Sequence, residues 1–361
     1  MVKHHTVDDI MEVLAWSFEQ LAAQVTPSCR HDGQPWDKTD SRLRKKNGGK
    51  DAGLAAVLAE LRGDWKMFKD SLRLPAWNEL GGICWMCMCT KDEMHDVSAT
   101  ATWRHQRCSH WQLIQRILDK GDSTSPIFSA PCFRSTCVKV DWLHCMDLGV
   151  AADFLGSLLY TVMKKMPGRS DDEKVRDMFQ EMQAYYKERE GDSQLDSLTK
   201  LMLKQPKKTP KLRGRAGEVR GLVDFGVEAA QKYLAASDQF ESTAIQASLR
   251  MQSMYNNLSK GSFDPGSQRT QCRQFCLLFA ALAKARPDAW RLKPKVHLLQ
   301  ELCEMQEQPS NPSLFWTYRD EDFGGTIAHV GRRRGGMNSP LSTATNVLER
   351  FIAQNPIIIV D

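Results

Sequence analysis

Residues 137–160 read CVKVDWLHCMDLGVAADFLGSLLY. The first four, CVKV, are β-branched at alternate positions and suit a short strand, which runs straight into Asp141. An acid at a strand end is a natural divalent-metal ligand, and His144, three residues on, is placed to hydrogen-bond to such a site. From 148 to 162 apolar residues recur densely at helical spacing, as far as the Met-Pro-Gly break at 166–168. Strand, acid, then buried helix is the grammar of an α/β core. Taken alone, D-x-x-H is also compatible with a histidine that merely starts or packs a helix.

Upstream, LAAVLAELRGDWKMF (54–68) has an apolar first half that ends at Gly63 and Asp64. It suits either a buried strand with Asp64 at its end or a short helix. Before it, Thr6 followed by Asp9 reads as a capping box, and Ile10, Val13, Leu14, Phe18 and Leu21 predict an amphipathic helix over 7–24. The stretch 78–110 is loop-like, with a helix expected over 111–118. Downstream, Ser170 caps an acidic first turn. Helices then follow to about 286, interrupted by a basic loop at 204–220 and by GSFDPGS at 261–267. Further helices are expected over 293–305 and 340–353. The resulting fold class is α/β but helix-dominated. Its segments are 1–50 (helix plus basic linker), 51–165 (core), 166–290 (all-helical) and 291–361 (C-terminal helices with an acidic motif).

Composition bounds the function. The 361 residues are 42% hydrophobic and 26% charged, which excludes a disordered or collagen-like chain. No uninterrupted apolar run reaches the roughly 18–20 residues that span a bilayer. The start, MVKHHTVDDIMEVLAW, lacks a secretory pattern, so a nuclear or cytoplasmic location is expected. The net charge is +5, unevenly spread. Residues 41–50 hold five bases and no acid, and 204–220 hold seven bases and one acid, leaving the remainder net acidic. Lys207, Lys208, Lys211 and Arg213 in the second island suit contact with a polyanion such as DNA. A solvated surface loop is the alternative.

Of eleven cysteines, Cys84, Cys87 and Cys89 crowd into six residues. In a reducing compartment such a cluster more often means metal than disulfides. Cys84-x-x-Cys87 with His105 and His110 offers two thiolates and two imidazoles for a structural Zn2+. The 17-residue gap from Cys87 to His105 is long, and Cys89 and Cys108 compete as ligands. The alternative is a pocket of reduced cysteines among Trp85, Met86 and Met88. A last motif, WTYRDEDFGGTIAHVGRRRGG (316–336), sets three acids ahead of Arg332, Arg333 and Arg334. Either the arginines pair with the acids, or Glu321 ligates Mg2+ or Mn2+ while the arginines hold phosphates.

In order along the chain, these pieces resemble the RNase H-like catalytic core of eukaryotic cut-and-paste transposases, nearest the CACTA and Kyakuja–Dileera–Zisupton groups. GDWKMFKD (63–70) resembles the strand end that carries the family's second catalytic aspartate, which would be Asp64. GGICWMC and HQRCSHWQL resemble its Cys-x-x-Cys and histidine knuckle. VDWLHCMDLGVAADFLGSLLY resembles its D-x-x-H signature, giving Asp141 and His144; KPKVHLLQEL resembles its Pro-Lys-x-His helix, giving His297; and YRDEDFGGTIA resembles the segment with the final glutamate, giving Glu321. The likeness covers about 54–160 and 293–336, and the all-helical stretch falls where the family carries an insertion domain. It implies metal-dependent DNA cleavage and strand transfer. The 63 residues ahead of Asp64 offer no strand-like alternation, so the core is expected to lack its first strands and first catalytic aspartate. The expectation is therefore a transposon-derived, DNA-binding protein that is inactive alone. A helical scaffold or interaction protein is the alternative.

Overall fold

The strand expected at CVKV forms, and of the two alternatives for the stretch ending at Asp64 the strand forms, over the three residues before Asp64, and pairs with the first. In the computed structural model, which describes residues 5–189, 193–258, 261–305, 310–333, 345–350 and 353, β1 (Leu61–Gly63) lies parallel to β2 (Val138–Val140). Leu61 stands opposite Val138, Arg62 opposite Lys139 and Gly63 opposite Val140. Asp64 and Asp141 therefore leave the same end of adjacent strands in matched register. The apolar stretch ahead of β1 contributes neither strand nor helix. Leu54 and Val57 are exposed, and only Leu58 is buried.

Three residues per strand is too little for a free-standing sheet, so the surroundings hold it. Helix α1 (His5–Ala22) and the short α2 (Arg42–Asn47) precede β1. The crossover between the strands carries α3 (Trp65–Leu72) and α4 (His110–Leu118). Val138 and Val140 are buried, while Lys139 is half-buried. Trp65 and Phe68 of α3 meet Trp85 edge-on at 6.4 and 5.4 Å. Such aromatic pairs add about 0.5–1.5 kcal/mol each beyond the area they bury.

After β2 the chain winds as a π-helix, Leu143–Ala151, before α5 (Ala152–Lys165). The helix thus starts five residues earlier than the apolar spacing suggested. By length and composition Leu143–Lys165 qualifies as a membrane span, contrary to the expectation from uninterrupted apolar runs. Its apolar window is 83% buried inside the protein, as a core helix would be. Around it pack α6 (Asp171–Glu188), α7 (Lys200–Leu203), α8 (Ala216–Gly221), α9 (Val223–Tyr233), α10 (Gln239–Asn256) and α11 (Pro265–Ala285). Ser170 caps α6 as expected, its hydroxyl accepting the Glu173 N–H at 3.2 Å. Phe154 of α5 is the hub, with Phe275, Phe279 and Trp290 rings 5.1–5.4 Å from it.

The basic island is not a free loop. Leu212 donates its N–H to Ala152 O at 2.8 Å, so the segment is stitched to α5. Gly156 makes this approach feasible: a Cβ there would stand 2.3 Å from the Lys211 backbone. Helix α12 (Lys295–Cys303) follows, led by Pro294. The chain divides into two compact units after Phe315. In the second, the acidic motif is helical: α13 (Tyr318–Arg333) has Asp320 and Glu321 in its first turn. Arg332 and Arg333 end that helix, Arg334 lies outside the described residues, and of the helix expected over 340–353 only 345–350 and 353 are described.

Candidate metal centre and the adjoining lysine cleft

Cys84 and Cys87 sit on a tight turn in which the Met86 N–H reaches Cys84 Sγ at 3.3 Å. The turn is held against 106–108 by Met88 N–H to Gln106 O (2.9 Å) and Cys108 N–H to Met86 O (3.0 Å). From α4, the Arg116 guanidinium donates to Cys84 O at 2.9 Å and Cys87 O at 3.4 Å. Gly82, at φ +126°, leaves room for it, since a Cβ there would stand 2.4 Å from the guanidinium.

Opposite this turn, α12 presents His297 and Glu301 one helical turn apart. Cys87 Sγ lies 3.4 Å from His297 Nε2, Cys84 Sγ 3.8 Å from Glu301 Oε1, and His297 Nε2 3.7 Å from Glu301 Oε1. All four residues are buried, and their ligand atoms lie within 4.8 Å of one another. A tetrahedron with ordinary zinc bond lengths has edges of about 3.4–3.8 Å, and the three distances between donor atoms fall in that range. Two sulfurs, one nitrogen and one oxygen form a donor set that can hold a metal ion.

The electrostatics agree. Burial pushes the Cys84 thiol well up, and the neighbouring Cys87 and Glu301 push the same way. For Cys87, the Cys84 hydrogen bond favours the thiolate, but Cys89, burial and Glu301 outweigh it and the pKa rises. A cation would reverse both shifts, because coordination deprotonates thiols. Arg107 grips Glu301 with both arms, at 3.0 and 2.7 Å, and so orients the carboxylate. Trp103 packs edge-on to the His297 ring at 4.5 Å.

The structure does not bring His105 and His110 to this cluster. His105 is exposed at the end of a 3-10 turn. His110 opens α4 with Nδ1 accepting the Ser135 N–H at 3.2 Å, its ring among Trp111, Phe128 and Phe133. Cys89 and Cys108 point their thiols at the carbonyls of Thr90 and Ser109, and so leave the competition. The two missing ligands come from some 210 residues away. His297 is singled out in the sequence by the resemblance of KPKVHLLQEL to a Pro-Lys-x-His helix, though not as a zinc ligand. The signal for Glu301 is the spacing His297-x-x-x-Glu301, which puts both on one helix face.

The paired acids have separate surroundings. Asp141 is buried and accepts from the His144 N–H at 2.9 Å and faces its Nδ1 at 2.6 Å. Asp64 caps α3, taking the Met67 N–H at 2.5 Å. It opens onto a cleft of about 280 Å³ that also exposes Lys66, Trp77, Asp153, Lys211, Lys293 and Lys295. Among the described residues, neither acid joins a group of three potential metal ligands. In the cleft, Lys293 pairs with the buried Asp153 at 2.6 Å, and Lys211 stands 3.9 Å from it. Lys211 also donates to Leu148 O at 3.0 Å, and Lys295 to His144 O at 2.5 Å, so two lysines cap carbonyls of the π-helix. Burial, together with Lys293 and Lys295, lowers the Lys211 pKa against the pull of Asp153. Lys207, Lys208 and Arg213 are exposed beside it. Glu321 lies in the second unit, where its N–H donates to Thr317 O at 2.9 Å. Comparison with family models, curated proteins and solved structures finds no match to this chain.

Proposed function

We propose that this protein is a transposase-derived, DNA-binding protein whose core is stapled by a structural Zn2+ and which does not cut DNA by itself. The observation that carries the reading is the cleft at the C-terminal end of the parallel sheet, where four lysines face two carboxylates beside Trp77. Ligands of α/β sheets bind at that end of the strands. A phosphate entering the cleft would relieve the crowding of Lys211, Lys293 and Lys295, and the exposed Lys207, Lys208 and Arg213 extend the positive surface along the backbone path. The order of the sequence motifs supports transposase descent, with an RNase H-like origin for β1, β2 and the acids that follow them.

The settings of the carboxylates support the reading that the chain does not cut DNA by itself. Two-metal phosphoryl chemistry needs ligands that bridge both ions. Asp141 is buried against His144, which suits holding the strand end rather than meeting a phosphate. Of the two strand-end acids only Asp64 faces the cleft, and the other carboxylate there, Asp153, is paired with Lys293. The third acid of the family pattern, Glu321, belongs to the second unit.

Titrating the purified chain into labelled duplex DNA at several salt concentrations tests the reading. Binding should weaken steeply with salt. Replacing Lys207, Lys208 and Arg213 by Gln should lower the slope by about 0.9 for every phosphate that is no longer neutralised. Lys211→Gln should lower it further. An unchanged slope in all variants, or no binding at low salt, overturns the DNA assignment. Mg2+- or Mn2+-dependent nicking that Glu321→Gln abolishes overturns the claim of inactivity.

A further inference from the structure

A second groove, of about 380 Å³, is lined by all of β2 and by no residue of β1. One wall is Val138, Lys139 and Val140, three consecutive residues of β2; the other is Met86 and Arg107. Side chains alternate between the faces of a strand, so a cavity on one face would meet only every second residue. Contact with all three means that the groove follows the strand edge. Among the described residues β2 pairs with β1 alone, so this edge carries backbone donors and acceptors with no strand beside them. Across the groove, Arg107 is bridged to Cys87.

Two further observations say what would lie in the groove. Trp85, which also lines it, is 1% exposed, and its indole N–H is buried without an acceptor. The charged lining is two bases and one acid: Lys139 is half-buried and makes no ion pair among the described residues, whereas Arg107 is paired with Glu301, which also lines the groove. The net charge left to a partner is therefore the positive charge of Lys139. We propose that this edge receives an extended, acidic segment of a partner protein. Its main chain would extend the sheet beside β2, one carbonyl would take the Trp85 N–H, and a carboxylate would face Lys139, Arg107 being already paired with Glu301. Main-chain pairing supplies the affinity and the side chains the choice of partner.

The test is fluorescence anisotropy of the full chain with three labelled octapeptides. One alternates Val and Glu, one alternates Val and Lys, and one is the Val-Glu peptide with a central Pro. The Val-Glu peptide should bind, the proline should weaken it at least tenfold, and Lys139→Glu should weaken the Val-Glu peptide while admitting the Val-Lys one. Lys139 lies outside the lysine cleft, so the variant should keep the salt slope of DNA binding. That separates failure here from failure of the DNA assignment. No binding of the Val-Glu peptide, or binding indifferent to both the proline and the charge reversal, overturns the proposal. So does a concentration-dependent dimer of the chain that Lys139→Glu dissolves, which would assign the edge to a second copy.

Discussion

His110 shows how one contact redirects a residue. By composition it is a zinc ligand, but its Nδ1 is already committed to the Ser135 N–H, which fixes the entry to β2. Burial, with a smaller push from Arg134, lowers its pKa. The neutral ring is thus favoured in the folded state, and the unfolded chain binds the extra proton more readily. Stability from this contact is present at pH 7 and is lost as pH falls below about 6.5. Thermal melts should therefore show a falling midpoint between pH 7.5 and 5.5, and His110→Gln should flatten that dependence. A pH-independent midpoint in the parent protein would contradict the reading. At the metal cluster the decisive residue is Glu301, which no cysteine–histidine pattern names. It completes the donor set because it lies one turn from His297 and because Arg107 holds it in place.

Among the elements, the π-helix and α5 do the most to build the cleft. Nine residues of π-winding are rare and disturb the regular carbonyl pattern. Lys211 and Lys295 donate to two of those carbonyls, which fixes the lysines at the cleft wall. Two glycines on this continuous helix admit them. A Cβ at Gly149 would meet the Lys295 side chain at 2.5 Å, and one at Gly156 would meet the Lys211 backbone at 2.3 Å. The first clash is with a flexible side chain and the second with main chain, so the two substitutions should differ. Gly156→Ala should cost about 1–3 kcal/mol or more, and Gly149→Ala markedly less, as read from urea midpoints. Equal destabilisation would mean that the basic segment is not seated on α5. Phe154→Ala, at the aromatic hub of the same helix, should cost about 3–5 kcal/mol by the same measurement.

At the scale of the molecule, the metal cluster ties a turn of the β1–β2 crossover to a helix that follows the whole helical region. Purified protein should carry about one equivalent of zinc by elemental analysis. Stripping it with a chelator, or replacing Cys84 by Ser, should cost more than about 4 kcal/mol, since removal of a structural metal belongs to the largest single-site effects. Metal-free protein of undiminished stability would reduce the cluster to packing. Much of this was legible in the chain. Alternating valines ending in Asp141, the Cys84–Cys87 turn, the Ser170 cap and the helices α1, α4, α5, α6 and α12 follow from local periodicity and capping, which act within a few residues. The stretch 54–60 misled because apolar composition does not reveal whether a partner surface exists to bury it. The ligands His297 and Glu301, the seating of Lys211 on α5 and the separate settings of Asp64 and Asp141 were not legible in this way. The sequence by itself determined which local pieces form and what chemistry they carry. Only the tertiary structure decided which pieces meet, because contacts between residues some 200 apart depend on packing that no local pattern encodes.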